Sequence, residues 1–154
     1  MLSNEEKARY ARHFTLEQVG LEGQEQLKNS SVLCIGAGGL GSPSTLYLTA
    51  AGVGRIGIVD PDVVELSNLQ RQIAHSTNAV GTPKVESAAK SIAAINPEII
   101  FNPIKKRIKP DNALNLISDY NIIADGSDNF ATRFLVNDAC YLAKKTLVSA
   151  AILR

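Results

Sequence analysis

The run Gly36-Ala37-Gly38-Gly39-Leu40-Gly41 follows the apolar residues Val32 to Ile35 and opens a helix-like stretch, and Asp60 ends the next apolar run. Glycines allow a tight turn and close backbone approach to phosphate, and free amides at the start of a helix attract negative charge. An acidic residue about 20 positions further on suits a ribose hydroxyl. The same run has P-loop glycine spacing, but Ser42-Pro43 stand where that motif places Lys and Ser or Thr, which argues against a P-loop NTPase.

Two further clusters extend the chemistry. After Asp60 come Ser67-Asn68-Leu69-Gln70-Arg71, in which Arg71 can hold phosphate oxygens with a bidentate fork and Asn68 can add a hydrogen bond. Lys84 stands in the first turn of a helix, where a cation opposes the dipole and bound phosphate offsets the cost. Asp125-Gly126-Ser127-Asp128-Asn129 puts two carboxylates and an amide after another apolar strand, oxygen ligands suited to Mg²⁺ shared with a nucleotide.

These residues need a scaffold, and its pattern is an alternation. Ser3 and Glu6 have capping-box spacing, so a helix is expected from Asn4 to about Phe14, with a second piece near Gln24 to Lys28. The spacing then predicts a strand ending at Gly36, a helix from Leu40 to Ala51 stopped by Gly52, and a strand from Arg55 to Asp60. Thr82-Pro83 reads as N-cap and first helical residue of a helix to Ile95. Strands near Ile99 to Ile104, Asn121 to Ala124 and Thr146 to Ala151 alternate with helices near Pro110 to Ile117 and Phe130 to Lys144. This is the pattern of a Rossmann-like, doubly wound α/β fold: a mainly parallel sheet with helices on both faces. Residues 1–30 read as an N-terminal helical extension and residues 31–154 as a nucleotide-binding domain.

Composition narrows the classes. The 154 residues carry a net charge of +1 and 20% charged residues, which gives no global argument for nucleic acid or an anionic membrane. Cys34 and Cys140 form no Cys-x-x-Cys pair, so neither a disulfide framework nor a cysteine-based zinc site is expected, and a reducing cytoplasm is the natural compartment. No signal-peptide or membrane-spanning stretch is seen. The chain stops at Arg154 directly after an apolar strand, an ending expected of a cut domain rather than a finished one, with an apolar sheet edge.

Taken in order, Arg9-Tyr10-Ala11-Arg12, the glycine turn, Asp60, Ser67 through Arg71, Gly81-Thr82-Pro83-Lys84, and Asp128-Asn129 before Arg133 resemble the N-terminal part of the ubiquitin-activating-like adenylyltransferases. The similarity is strongest to molybdopterin-synthase and thiamine-sulfur-carrier adenylyltransferases. The resemblance implies ATP-dependent adenylation of the C-terminal glycine of a small ubiquitin-like sulfur-carrier protein, chemistry that needs positioning and charge neutralisation. By similarity Gly36, Gly38, Gly39 and Gly41 approach the nucleotide and Asp60 takes the ribose. Asn68, Arg71 and Lys84 hold the phosphates, and Ser67, Leu69 and Gln70 belong to the nucleotide-binding set. Asp128 binds Mg²⁺, Asn129 belongs to the nucleotide-binding set, and Arg12 reaches the partner protomer's site in trans, implying a homodimer. The zinc-binding Cys-x-x-Cys pairs, reactive-cysteine loop and carrier-cradling strands that family members carry further on have no counterpart in this sequence.

Plainer roles stand beside these. Asp60, Asp125 and Asp128 also suit turns or caps, the reading preferred for Asp125. Arg12, Arg71 and Lys84 also suit solvated surface positions. Cys34 and Cys140 read as buried apolar residues, and His13 and His75 show no metal spacing. Lys105, Lys106, Arg107 and Lys109 read as a solvated basic loop. Alternative functions are a non-catalytic nucleotide-binding or dimerisation module and an NAD-dependent oxidoreductase, which leaves Asn68, Arg71, Lys84 and Asp128 unexplained as a set.

Overall fold

Strand β1 (Ser31–Ile35) is buried along its whole length, and its side chains alternate between two apolar layers. Val32 and Cys34 join Ile56, Ile58, Val85, Ala88 and Ile92 on one face, while Leu33 and Ile35 join Ile117, Tyr120, Ile123, Val136 and Cys140 on the other. A strand apolar on both sides is what a parallel sheet covered twice requires. The computed structural model, which describes residues 1–152, has five strands, all parallel, in the order β3-β2-β1-β4-β5. The others are β2 (Arg55–Val59), β3 (Ile100–Ile104), β4 (Ile122–Asp125) and β5 (Thr146–Ser149). The doubly wound expectation is met. Leu153 and Arg154, where the expected cut end falls, lie outside the described residues.

The described residues form six α-helices: α1 (Asn4–Arg9), α2 (Gly20–Asn29), α3 (Gly41–Ala51), α4 (Lys84–Ile95), α5 (Ala113–Ser118) and α6 (Phe130–Ala143). Gly52 ends α3 with φ +86, as expected of a left-handed C-cap. The first helix is shorter than predicted. Its capping box is present, with Glu6 N–H donating to Ser3 Oγ at 3.1 Å, but the chain leaves the helix at Tyr10 and makes a separate 3-10 turn over His13–Thr15. Tertiary bonds decide this. Tyr10 is buried, its hydroxyl accepts from Asn96 Nδ2 at 2.7 Å, and His13 Nδ1 pairs with Gln24 Oε1 at 2.6 Å. Conversely α2 is longer than predicted, because buried Gln24 donates from Nε2 to the Ala51 carbonyl at 2.9 Å and ties that helix to the end of α3.

Thr82 does not cap α4. Its hydroxyl donates to the Ala79 carbonyl at 2.7 Å, and Pro83 is the cap residue, held in an extended conformation by an antiparallel bridge to Val63. The helix therefore starts at Lys84. The last strand also ends earlier than predicted, at Ser149.

The chain winds from β1 outward to β3, then returns to the other side of β1 to form β4 and β5. Loops diverge at that switch point and leave a crevice beyond the carboxyl ends of the strands.

Candidate functional site

A cavity of about 520 Å³ occupies that crevice, lined by the segments that follow all five strands. The glycine turn forms its floor. Gly36 has φ +92, and a Cβ on Gly41 would lie 1.9 Å from the Gly36 carbonyl oxygen, so these two glycines let α3 close against β1. Gly41 is buried and packs rather than lining the cleft. Gly38 and Gly39 do line it, and among the described residues the N–H groups of Gly38, Gly39 and Leu40 have no backbone acceptor. Such amides at a helix start suit an anion.

The turn is held from behind. Asp60 is buried and accepts the Ala37 N–H on Oδ2 and the Asp62 N–H on Oδ1, both at 2.8 Å. One carboxylate thus joins the loop after β1 to the loop after β2, with lone pairs remaining toward the cleft. Lys84 is 7% exposed, and its Nζ lies 3.4 Å from Asp62 Oδ2 on a carboxylate that is 56% exposed. That partner relieves the unfavourable cation at the start of α4 while two of the ammonium's three donors stay free for another ligand.

Arg71 is exposed, and its side-chain carbons lie 3.4 Å from where a Cβ on Gly39 would stand. The arginine therefore lies across the cleft side of the turn at Gly39. Ser67, Asn68, Leu69 and Gln70 do not line the cleft. Ser67 and Asn68 shape the loop carrying Arg71: Asn68 Oδ1 accepts the Glu65 N–H at 3.2 Å, and Arg71 Nη1 donates to the Ser67 carbonyl at 3.3 Å.

On the far wall, Asp125 is buried and makes a turn by accepting the Ser127 N–H at 2.9 Å. Asp128 is exposed on the rim. Asn129 also lines the cleft, but its Oδ1 accepts the Thr132 N–H at 2.9 Å and caps α6. Among the described residues no group of three or more His, Cys, Asp or Glu side chains converges, so a metal here would draw on Asp128 together with ligand oxygens and water, the usual arrangement for Mg²⁺. Arg12 lies elsewhere. Arg9 donates to the Ile95 carbonyl at 2.8 Å and Tyr10 packs at Gly52, so this segment sits at the last turns of α3 and α4, the end of the sheet opposite the cleft.

Four cleft residues carried no functional expectation from the sequence. Lys106 and Arg107, expected in a solvated loop, stand on the cleft rim because β3 ends beside Asp60. Gln72 is 4% exposed and lines the cleft with its Oε1 unpartnered. Arg133 donates to the Ala150 carbonyl at 2.8 Å and to the Ser127 carbonyl, clipping the loop after β4 to the end of β5. Only Arg133 had a signal, its place after Asp128-Asn129. Burial raises the pKa of both thiols, so neither Cys34 nor Cys140 is poised as a nucleophile. No helix among the described residues is long and apolar enough to cross a membrane.

Comparison with known proteins gives consistent matches. The model of the ThiF family matches residues 10–154. The chain is 56% identical over 153 residues to a probable adenylyltransferase/sulfurtransferase MoeZ of Mycobacterium tuberculosis, covering 99% of this chain and 39% of the relative. It is 48% identical to a probable molybdopterin-synthase adenylyltransferase of Porphyra purpurea, covering 97% and 39%. The chain thus spans about two-fifths of these relatives. Among solved structures, the tRNA N6-threonylcarbamoyladenosine dehydratase TcdA of E. coli in complex with ATP superposes with a TM-score of 0.91 at 27% identity, covering 97% of this chain and 61% of that one. E. coli MccB with AMPCPP and MccA gives 0.85 at 28% identity, covering 95% and 45%.

Proposed function

The chain belongs to the ThiF family, and from that premise we propose that it supplies the nucleotide-binding part of an adenylyltransferase acting on the C-terminal glycine of a ubiquitin-like sulfur-carrier protein in molybdopterin or thiamine synthesis. One observation carries the reading: the free amides of the glycine turn after β1, Asp60, Arg71 and Lys84 along the connection from β2 into α4, and Asp128 after β4 face one cleft at the sheet's switch point. Oxidoreductase chemistry does not call for the two cations and the rim carboxylate together.

In this reading ATP is a substrate. The carrier's terminal carboxylate oxygen bonds to the α-phosphorus, the bond from that phosphorus to the bridging oxygen breaks, and pyrophosphate leaves with the electron pair. Asp60 orients the ribose, the turn amides and Lys84 hold phosphate oxygens, and Arg71 neutralises charge developing on the leaving group. Asp128 would hold Mg²⁺, which when bound would screen the charge of the triphosphate. Residues 1–30 form the helical extension and residues 31–154 the nucleotide-binding part. Support for this division is that α1 and α2 precede the first strand at Ser31. Arg12, at the end of the sheet away from its own cleft, acts on a second protomer's site, which makes the working form a homodimer in the cytoplasm.

The test is carrier-dependent ATP:pyrophosphate exchange with Mg²⁺, with Arg71→Ala and Asp128→Ala as controls. Exchange lost in both variants is expected. Nucleotide binding without exchange would favour a non-catalytic module, and preference for NAD over ATP would overturn the reading.

A further inference from the structure

His75 carries none of the roles described above, yet it is buried directly behind the glycine turn. Its Nε2 lies 3.0 Å from the Ala37 carbonyl oxygen and its Nδ1 lies 3.1 Å from Ser87 Oγ. A carbonyl oxygen only accepts, so the ring proton belongs on Nε2, and Nδ1 accepts from the Ser87 hydroxyl. Both polar backbone groups of Ala37 are then occupied. Its N–H goes to Asp60, and its carbonyl takes His75 together with Ser42 Oγ at 3.1 Å. This peptide immediately precedes Gly38 and Gly39, whose amides face the cleft. Ser87 stands in the first turn of α4, three residues beyond Lys84.

We propose that His75 is a positioning residue of the nucleotide site: by gripping the Ala37 carbonyl and the Ser87 hydroxyl at once, it sets the glycine turn and the helix bearing Lys84 as a single unit. The inference rests on the nucleotide-binding reading above for its functional consequence, but its geometry stands on its own. Burial lowers the His75 pKa below the ordinary imidazole value, and the nearby Lys84 ammonium acts in the same sense, while the Ala37 carbonyl and the Asp60 carboxylate oppose it. The ring is therefore neutral at neutral pH, the state in which Nδ1 can accept.

Two variants separate positioning from bulk. In His75→Gln the side-chain amide nitrogen reaches the Nε2 position and can still donate to Ala37; in His75→Asn it reaches only the Nδ1 position. Titration with Mg-ATP at pH 7.5, well below the melting temperature of each variant, is expected to give His75→Gln an affinity close to that of the parent and His75→Asn a roughly tenfold weaker one, the effect of one buried hydrogen bond. Hydrogen exchange at residues 36–41 is expected to quicken in His75→Asn and not in His75→Gln, and imidazole nitrogen NMR of the parent to show the Nε2–H tautomer. Equal behaviour of the two variants in exchange, or an Nδ1–H tautomer, overturns the proposal. If the parent binds no ATP, the functional reading fails, and exchange and tautomer still decide whether His75 holds the turn.

Discussion

The two wings of the sheet differ in how completely they satisfy themselves. On the β1–β2 side, all five residues of β1 and four of the five in β2 are buried, and Asp60 and Ala37 are each fixed by several bonds. On the β4–β5 side, Thr146, Val148 and Ser149 of β5 are exposed, and α6 presents Phe134 at 66%, Tyr141 at 82% and Leu142 at 66% exposure. The strand pair that carries the glycine turn is closed by its own side chains, whereas α6 beside the β5 edge presents a row of large apolar side chains to another surface. Substitutions are thus expected to act through fold and site on the first wing and through association on the second.

The strongest way to break that contrast is at the turn. Gly41→Ala drives a Cβ into the Gly36 carbonyl and is expected to cost about 3 kcal/mol in urea unfolding. Gly38→Ala, whose new Cβ would stand 3.9 Å from Gln72 Nε2, is expected to keep the fold and impair only nucleotide titration. Equal stability of the two variants would contradict the packing role given to Gly41. Next in size, Lys84→Met is expected to weaken Mg-ATP binding by about 100-fold, since a buried cation is lost from the cleft. Arg71→Ala, exposed, is expected to lose about tenfold, with both melting temperatures near that of the parent because the Lys84 partner Asp62 is solvated.

On the second wing, sedimentation of the purified chain is expected to show self-association that Phe134→Ser together with Val148→Lys reduces. A monodisperse parent would remove the distinction between the wings. The smallest effects follow pH. Because the folded-state pKa of His75 lies below its ordinary 6.5, its contribution to stability is present above pH 6.5 and is lost as pH falls toward the folded value, a dependence that His75→Gln should lack. Glu6 shows the same sign at lower pH. The Lys28 ammonium, 2.7 Å away, and the Ser3 N–H hold its pKa below 4.5, so its contribution is lost only on acidification past that point, and a melting series on Glu6→Gln checks it.

Much of this was legible in the linear sequence. The glycine turn, Asp60 at a strand end, the alternating elements and the Gly52 stop all rest on local sterics and on apolar patterning, which neighbouring residues dictate. Thr82 and the length of α1 were misread because each depends on a distant contact, the Val63 bridge in one case and Asn96 with Gln24 in the other. Asn129 as a helix cap, the buried Gln72 and the grip of His75 on Ala37 were not legible either. What the sequence by itself determined was the parallel α/β scaffold and a set of residues whose chemistry suits a nucleotide. Only the tertiary structure decided which of them share a cleft, which pack behind it and which lie at its far end, because the strand order brings together loops that are 23 residues apart at Ala37 and Asp60 and 38 apart at Ala37 and His75.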